Sequence, residues 1–163
     1  MSDSLPFKKA IQSSPIYRGG DTAEKLREKY DFEGAVVKLS SNENPLPTSP
    51  AVVAALQEAI TSLNRYPPMG DDALRDTLAA YIGRGTKPGQ FVTGNSGCDV
   101  LRIIADSFLT PDDEAIICTP TFPVYELTAR RLGARLVEVP LRMPDFSYNP
   151  DAILAAVTPQ TRL

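Results

Sequence analysis

"FVTGNSGCDVLRII" (residues 91–104) changes its hydrophobic period in mid-stretch. Phe91 to Thr93 is β-type. Gly94-Asn95-Ser96-Gly97 follows, and from Asp99 onward Val100, Leu101, Ile104 and then Phe108 recur at helical spacing. A strand that steps into a helix through small residues is the joint of a β-α unit. Small residues at that joint also let backbone come close to another group.

The rhythm continues toward the C-terminus. A strand at 90–93 and a helix at 98–109 lead through "TPDDE" to "AIIC" (115–118), a continuous apolar run of the kind buried on both faces. "TPTFPVYELTARRLG" supplies a loop and a helix that stops at Gly133. "RLVEVP" (135–140) reads as a strand, "LRMPDFSYNP" as a loop and "DAILAAV" (151–157) as a helix. The alternation predicts an α/β fold with a mostly parallel sheet and helices on both faces. Each helix in such a sheet returns the chain to a new strand. "TPQTRL" reads as the loop and opening residues of that next strand, so the expectation is a chain that stops inside an α/β domain.

Upstream, "DTAEKLREKY" suits a short helix with Asp21 as N-cap and Leu26 and Tyr30 on one face. "AVVKL" (35–39) suits a short strand, and the prolines of "SSNENPLPTSP" (40–50) make it irregular. A helix starts after Ser49 with Pro50 in its first turn and a stripe of Val52, Val53, Leu56, Ile60 and Leu63. "NRYPPMG" breaks it, and the next helix covers 71–83, with Gly83 near its stop. The expected division is an N-terminal arm and lid-like segment over 1–48, then helices leading into an incomplete α/β domain over 49–163.

Composition narrows the function. The 163 residues are 42% hydrophobic and 23% charged, with a net charge of −3, which argues against nucleic acid as the main partner. No apolar run approaches the roughly 20 residues of a membrane span. "MSDSLPFKKA" lacks the apolar core of a signal peptide, and Cys98 and Cys118 have no metal-ligand spacing, so a reducing cytoplasm is the expected setting and no metal is expected. There is no histidine, which removes His-based triads, His-ligated metals and His acid–base catalysis.

At the 94–97 joint, ligands of open α/β sheets sit beyond the carboxyl ends of strands, where a helix N-terminus offers free N–H groups and a positive dipole end. Phosphate is the natural ligand for Gly94, Ser96 and Gly97. A tight β-α turn with no ligand suits the same residues. The G-x-G-x-x-G dinucleotide pattern is absent, and "GRGTKPG" (83–89) lacks P-loop spacing, which leaves it an exposed turn.

Three stretches then carry a resemblance: "KLSSNENPLPTSP", "LNRYPPMGDDALRDTLAAYIG" and "VTGNSGCDVLRIIADSFLTPDDEAIICTPTFPVYELTARRLGA". In order and spacing they resemble the N-terminal part of histidinol-phosphate aminotransferases, which are class I/II, fold-type I enzymes dependent on pyridoxal 5′-phosphate. The resemblance runs from about Ser14 to the end. It implies the first part of the fold-type I large domain, a small-molecule substrate (an amino acid or phosphorylated keto compound) and a homodimer in the intact enzyme. The family's Gly-Asn-Gly-Ser-Asp-Glu phosphate loop falls on Gly94 to Asp99, so Ser96, Gly97 and Cys98 would hold the cofactor phosphate. Here Gly-Ser is swapped to Ser-Gly, and Cys98 stands where the family has an acid. Asp99 is a first-turn helix residue rather than a ligand.

The same resemblance puts Phe122 of "PTFPVY" on the face of the pyridine ring, with core packing as its plain alternative; Tyr125 belongs to the helix. Tyr66 of "NRYP" matches a tyrosine that crosses the dimer interface to the neighbouring cofactor phosphate. Asn42, Glu43 and Asn44 match the segment bordering the substrate, with Asn42 and Asn44 as candidate contacts, and Tyr17 falls where the arm touches the substrate phosphate. The family's cofactor-bonding lysine, its pyridinium aspartate and its carboxylate-binding arginine all lie beyond position 163, so no residue of this chain is expected to be catalytic, and the chain alone is expected to be inactive. Lys8, Lys9, Lys25, Lys29, Lys38 and Lys87 read as solvated surface charge. The rival identities are a threonine-phosphate decarboxylase or aromatic aminotransferase of the same fold, and a non-catalytic phosphate-binding α/β fragment.

Overall fold

Strands need a neighbouring backbone, and two of the segments with strand-like composition have one. In a computed structural model, which describes residues 9–12 and 19–163, β1 (Glu114–Thr119) and β2 (Arg135–Pro140) pair in parallel, in register from Glu114 opposite Arg135 to Thr119 opposite Pro140. On the other edge of β1, Ile116 N–H donates to Leu163 O at 2.8 Å and Arg162 N–H to Glu114 O at 2.9 Å, and Thr161 bridges Glu114 in parallel. The segment after "TPQ", where the sequence predicts a strand, thus pairs alongside β1 through an isolated bridge, and β1 has backbone neighbours on both edges.

The chain divides into two compact units, Arg18–Pro88 and Met1–Tyr17 with Gly89–Leu163. In the second unit, α1 (Lys9–Gln12), α5 (Gly97–Phe108), α6 (Val124–Leu132) and α7 (Pro150–Ala155) accompany the sheet. Its core is a small-residue seam of Ala105, Leu109, Ala115, Ala129 and Ala134, flanked by Leu132 and Leu136. Alanines at these contacts let α5 and α6 approach the sheet closely, and Ala129 is only 2% exposed. In β1, Ala115 and Ile117 are buried while Ile116 and Cys118 are half-buried, so one face of the "AIIC" run is covered more fully than the other. A cavity of about 240 Å³, walled by Leu101, Ile104, Tyr125 and Leu163 among others, opens between α5, β1 and α6.

Helix ends follow the sequence signals. α6 stops at Gly133, whose φ of +83° is the left-handed cap; its N–H reaches Arg130 O at 2.9 Å and Ala134 N–H reaches Ala129 O at 3.1 Å, the two bonds of a Schellman motif. α7 begins with Asn149, whose side chain accepts the Ala152 N–H, and has Pro150 at its first position.

In the other unit, α2 (Ala23–Tyr30), α3 (Pro50–Ala59) and α4 (Asp72–Ile82) form where the periodicity puts helices. The N-cap of α2 is Thr22, not Asp21: its hydroxyl accepts the Lys25 N–H at 3.3 Å. The stripe on α3 forms on a helix but stays exposed, Val52, Val53, Leu56 and Ile60 included. Two expected strands are absent. Among the described residues neither 35–39 nor 91–93 is a strand: Leu39 is left 94% exposed, and 91–93 follow a single 3₁₀ turn (Pro88–Gln90). β-type side chains do not make a strand where no other backbone takes up the N–H and C=O groups.

Candidate functional site

Ser96 is the N-cap of α5, and its hydroxyl accepts the Asp99 N–H at 3.2 Å. Val100 N–H takes the first helical bond, to Ser96 O at 3.0 Å. The first N–H groups of a helix have no intrahelical acceptor. Gly97 and Cys98 are those residues here, and they donate to no protein acceptor among the described residues. They stand at the positive end of a 12-residue helix.

The two glycines of this turn differ. A Cβ on Gly94 would lie 2.9 Å from Val100 Cγ2, 3.1 Å from Asp99 Oδ2 and 3.2 Å from Val100 N, so the fold itself requires glycine. A Cβ on Gly97 would meet nothing within 4 Å, and Gly97 has no positive φ. Among the described residues nothing demands a glycine at 97, and the Gly97 and Cys98 N–H groups stand without a described protein acceptor at a helix N-terminus. That donor set fits a phosphate oxygen.

Asp99 is the residue whose role composition alone does not disclose. Its Oδ2 accepts the Asn95 N–H at 3.0 Å, and its Oδ1 accepts from Arg102 Nη2 at 2.8 Å and Nε at 3.2 Å. The Arg102 guanidinium, and after it the Asn95 N–H, hold the Asp99 carboxyl below the usual carboxylate range. The Asp–Arg pair at i,i+3 was the available signal.

α5 joins β1 through Leu109–Asp113, so the start of α5 and the carboxyl end of β1 lie at the same end of the unit. There the loop after Thr119 carries Phe122. Its ring is 42% exposed and meets Tyr125 edge-on, with centroids 6.4 Å apart and planes at 88°. Ser96, Gly97 and Cys98 thus share one turn, and Phe122 comes from the loop at that same end. Cys98 is exposed.

The remaining candidates belong to the Arg18–Pro88 unit or lie outside the described residues. Tyr66 is fully exposed. Asn42 sits at φ +50°, a left-handed conformation that asparagine tolerates, and Asn44 Oδ1 accepts the Leu46 N–H at 3.0 Å, turning the "NENP" loop. Lys38 Nζ pairs with Glu43 at 2.6 Å across this loop. Tyr17 lies outside the described residues. No helix among the described residues is long and apolar enough to cross a membrane.

The chain is 41% identical over 150 residues to the histidinol-phosphate aminotransferase of Methylobacillus flagellatus, covering 92% of this chain and 40% of that protein. It is 37% identical over 156 residues to the enzyme of the same name from Moorella thermoacetica, covering 96% of this chain and 39% of that protein. The chain thus spans about 40% of the length of the curated relatives it matches. Among solved structures, the histidinol-phosphate aminotransferase of Sinorhizobium meliloti, in complex with pyridoxal-5′-phosphate, superposes with a TM-score of 0.72 at 22% identity over 87% of this chain and 37% of that one. A single-mutant aspartate aminotransferase of Thermus thermophilus gives 0.78 at 24% identity over 97% of this chain and 43% of that one. These identities speak for the fold: the first part of the fold-type I aminotransferase architecture. The family "Aminotransferase class I and II" matches residues 35–163. That match takes in the sheet, the Ser96–Cys98 turn and the helices on either side of it, and the chain belongs to the class I and II aminotransferases.

Proposed function

We propose that this chain is the N-terminal portion of a pyridoxal-phosphate-dependent aminotransferase of the histidinol-phosphate type, which exchanges an amino group between glutamate and imidazole-acetol phosphate in histidine biosynthesis. The observation that carries it is the open, anion-ready turn at Gly97 and Cys98, on a chain 41% identical over 150 residues to an enzyme of that name. Pyridoxal phosphate, when bound, supplies an electron-withdrawing ring that stabilises negative charge on the substrate's α-carbon.

The residues here bind and orient. The N–H groups of Gly97 and Cys98 donate to the cofactor phosphate. The Ser96 oxygen accepts from Asp99, which leaves its own proton for the same phosphate. Phe122 presents a ring face to the pyridine, worth about 1 kcal/mol beyond area burial. In a homodimer, Tyr66 gives its hydroxyl to the phosphate held by the other subunit. Asn42 and Asn44, on the loop turned by the Asn44–Leu46 bond, border the substrate, and Tyr17 in the arm (1–48) meets the substrate phosphate. Residues 49–163 form the helices and sheet that seat the cofactor. The setting is the cytoplasm. The lysine, aspartate and arginine of the reaction are supplied from outside these 163 residues, so the 163-residue chain alone turns nothing over.

The test is substrate profiling of the full-length gene product with glutamate and imidazole-acetol phosphate, beside threonine phosphate and aromatic amino acids. Preference for imidazole-acetol phosphate supports the proposal. Decarboxylation of threonine phosphate, preference for aromatic substrates, or turnover by the 163-residue chain above the free-cofactor background counts against it.

A further inference from the structure

Behind the anion-ready turn runs a chain of alternating charges. Asp99 pairs with Arg102; Arg102 Nη1 reaches Asp106 Oδ2 at 3.4 Å; and Asp106 Oδ1 lies 3.5 Å from Arg131 Nη2 on α6. The four side chains carry −, +, − and +, and sum to zero. We propose that Asp99 and Arg102 are the positioning residues of the phosphate cup: Asp99 tethers the Asn95 N–H and Arg102 cancels the tether's charge, so an anion meets the Gly97 and Cys98 N–H groups at an unopposed helix N-terminus. This rests on the proposal above that the cup takes a cofactor phosphate.

Two demands meet at Asp99. The turn needs an acceptor for Asn95, because a loop held only by its ends does not hold two donors at a fixed spacing. Gly94 makes room for that acceptor, since a Cβ there would lie 3.1 Å from Asp99 Oδ2. A bare carboxylate in the first turn, however, opposes any anion arriving at the same helix end. Arg102, donating to Asp99 Oδ1 through two nitrogens, removes that opposition without loosening the Oδ2 tether. Asp106 and Arg131 in turn anchor Arg102 to α6.

The experiment uses the full-length protein and two probes, pyridoxal phosphate and phosphate-free pyridoxal, with affinities from absorbance or fluorescence titration and folding checked by circular dichroism. The ratio of the two affinities reads the cup alone, because general damage to the fold weakens both. Asp99→Ala, which removes the tether, is expected to cut that ratio about tenfold, or about 1.4 kcal/mol. Arg102→Gln leaves an uncompensated carboxylate and cuts it also, and added salt narrows the loss by screening. Arg102→Lys restores part of it. The double variant Asp99→Asn with Arg102→Gln keeps an acceptor for Asn95 and carries neither charge, so it returns most of the ratio. Asp99→Ala and Arg102→Gln with the wild-type ratio overturn the inference while leaving the cofactor site standing. A double variant no better than Arg102→Gln alone overturns the charge-cancelling role. Wild-type protein that binds both probes equally overturns the phosphate cup itself, and the inference with it.

Discussion

Gly97→Val and Gly94→Ala, made separately in the full-length protein, should fail in opposite ways. At position 97 the fold asks nothing of glycine: φ is not positive and an added Cβ meets nothing within 4 Å. Gly97→Ala should leave stability unchanged or raise it by up to about 1 kcal/mol, the helix-propensity difference, less at a first-turn position. What either side chain disturbs is the approach of an anion to the Gly97 and Cys98 N–H groups. Losing one charge-assisted hydrogen bond is worth about 1.5–3 kcal/mol. Gly97→Val should therefore weaken pyridoxal phosphate binding by about tenfold to a hundredfold, with Gly97→Ala weaker in effect. At position 94 the added methyl meets Val100 Cγ2 at 2.9 Å, Asp99 Oδ2 at 3.1 Å, which moves only by loosening its bond from the Asn95 N–H, and the Val100 backbone nitrogen at 3.2 Å, which cannot move without the helix. Overpacking of this kind costs about 1–3 kcal/mol. Each kcal/mol shifts the melting temperature by roughly 2–4 °C for 150–250 residues, and by less in the longer full-length protein. Thermal denaturation by circular dichroism reads the first quantity and cofactor titration the second. A folded Gly97→Val protein with wild-type cofactor affinity would refute the reasoning: the glycines would then serve the turn alone.

Three further outcomes follow from the packing. Glu114, 4% exposed, accepts from the Thr158 hydroxyl at 2.8 Å and pairs with Arg135, and these contacts hold its carboxyl below the usual glutamate range. A lowered folded value means that its contribution is present above the ordinary value of about 4.5 and lost as pH falls through the lowered one; Glu114→Gln should thus be less stable near neutrality, with a shallower loss in acid, read by urea titrations across pH. Asp113, lowered by the Thr110 hydroxyl and N–H and by Arg162, acts in the same direction. Leu109→Ala removes a side chain 5% exposed in the alanine seam and should cost about 2–4 kcal/mol, measured by the same urea titration; a change under about 0.5 kcal/mol would show that the seam is not the core. Gly133→Ala forces a side chain into φ +83° and should cost about 1–2 kcal/mol in thermal melts, with no change in cofactor affinity.

Helices α3 to α7 were legible from residues alone, because periodicity is local, and so were Pro50 in a first turn and the stops at Gly83 and Gly133; Ser96 and Asn149 as caps, with Pro150 as the first residue of α7, came from the structure. So were β1 and β2, whose apolar runs are bounded by turns. Strand formation at 35–39 and 91–93 was not, because a strand exists only within a ladder, and among the described residues neither segment joins the β1–β2 sheet. Nor was burial on α3: periodicity reports that a helix has an apolar side, not that anything lies against it. Thr22 and Asp21 are both good caps, and only the turn geometry chose between them. The phosphate-cup candidates could be named from "GNSGCD", yet Gly94 and Gly97 are the same letter. The surroundings of each Cβ, crowded at 94 and open at 97, make one a packing requirement and leave the other free for a ligand. The same holds for Asp99 and Glu114. The sequence put one in the first turn of a helix and the other in the "TPDDE" turn, and the fold turned one into the tether of a loop and the other into a buried hub joining β1, β2 and the segment after α7, because hydrogen-bond partners are chosen by where backbones meet in space.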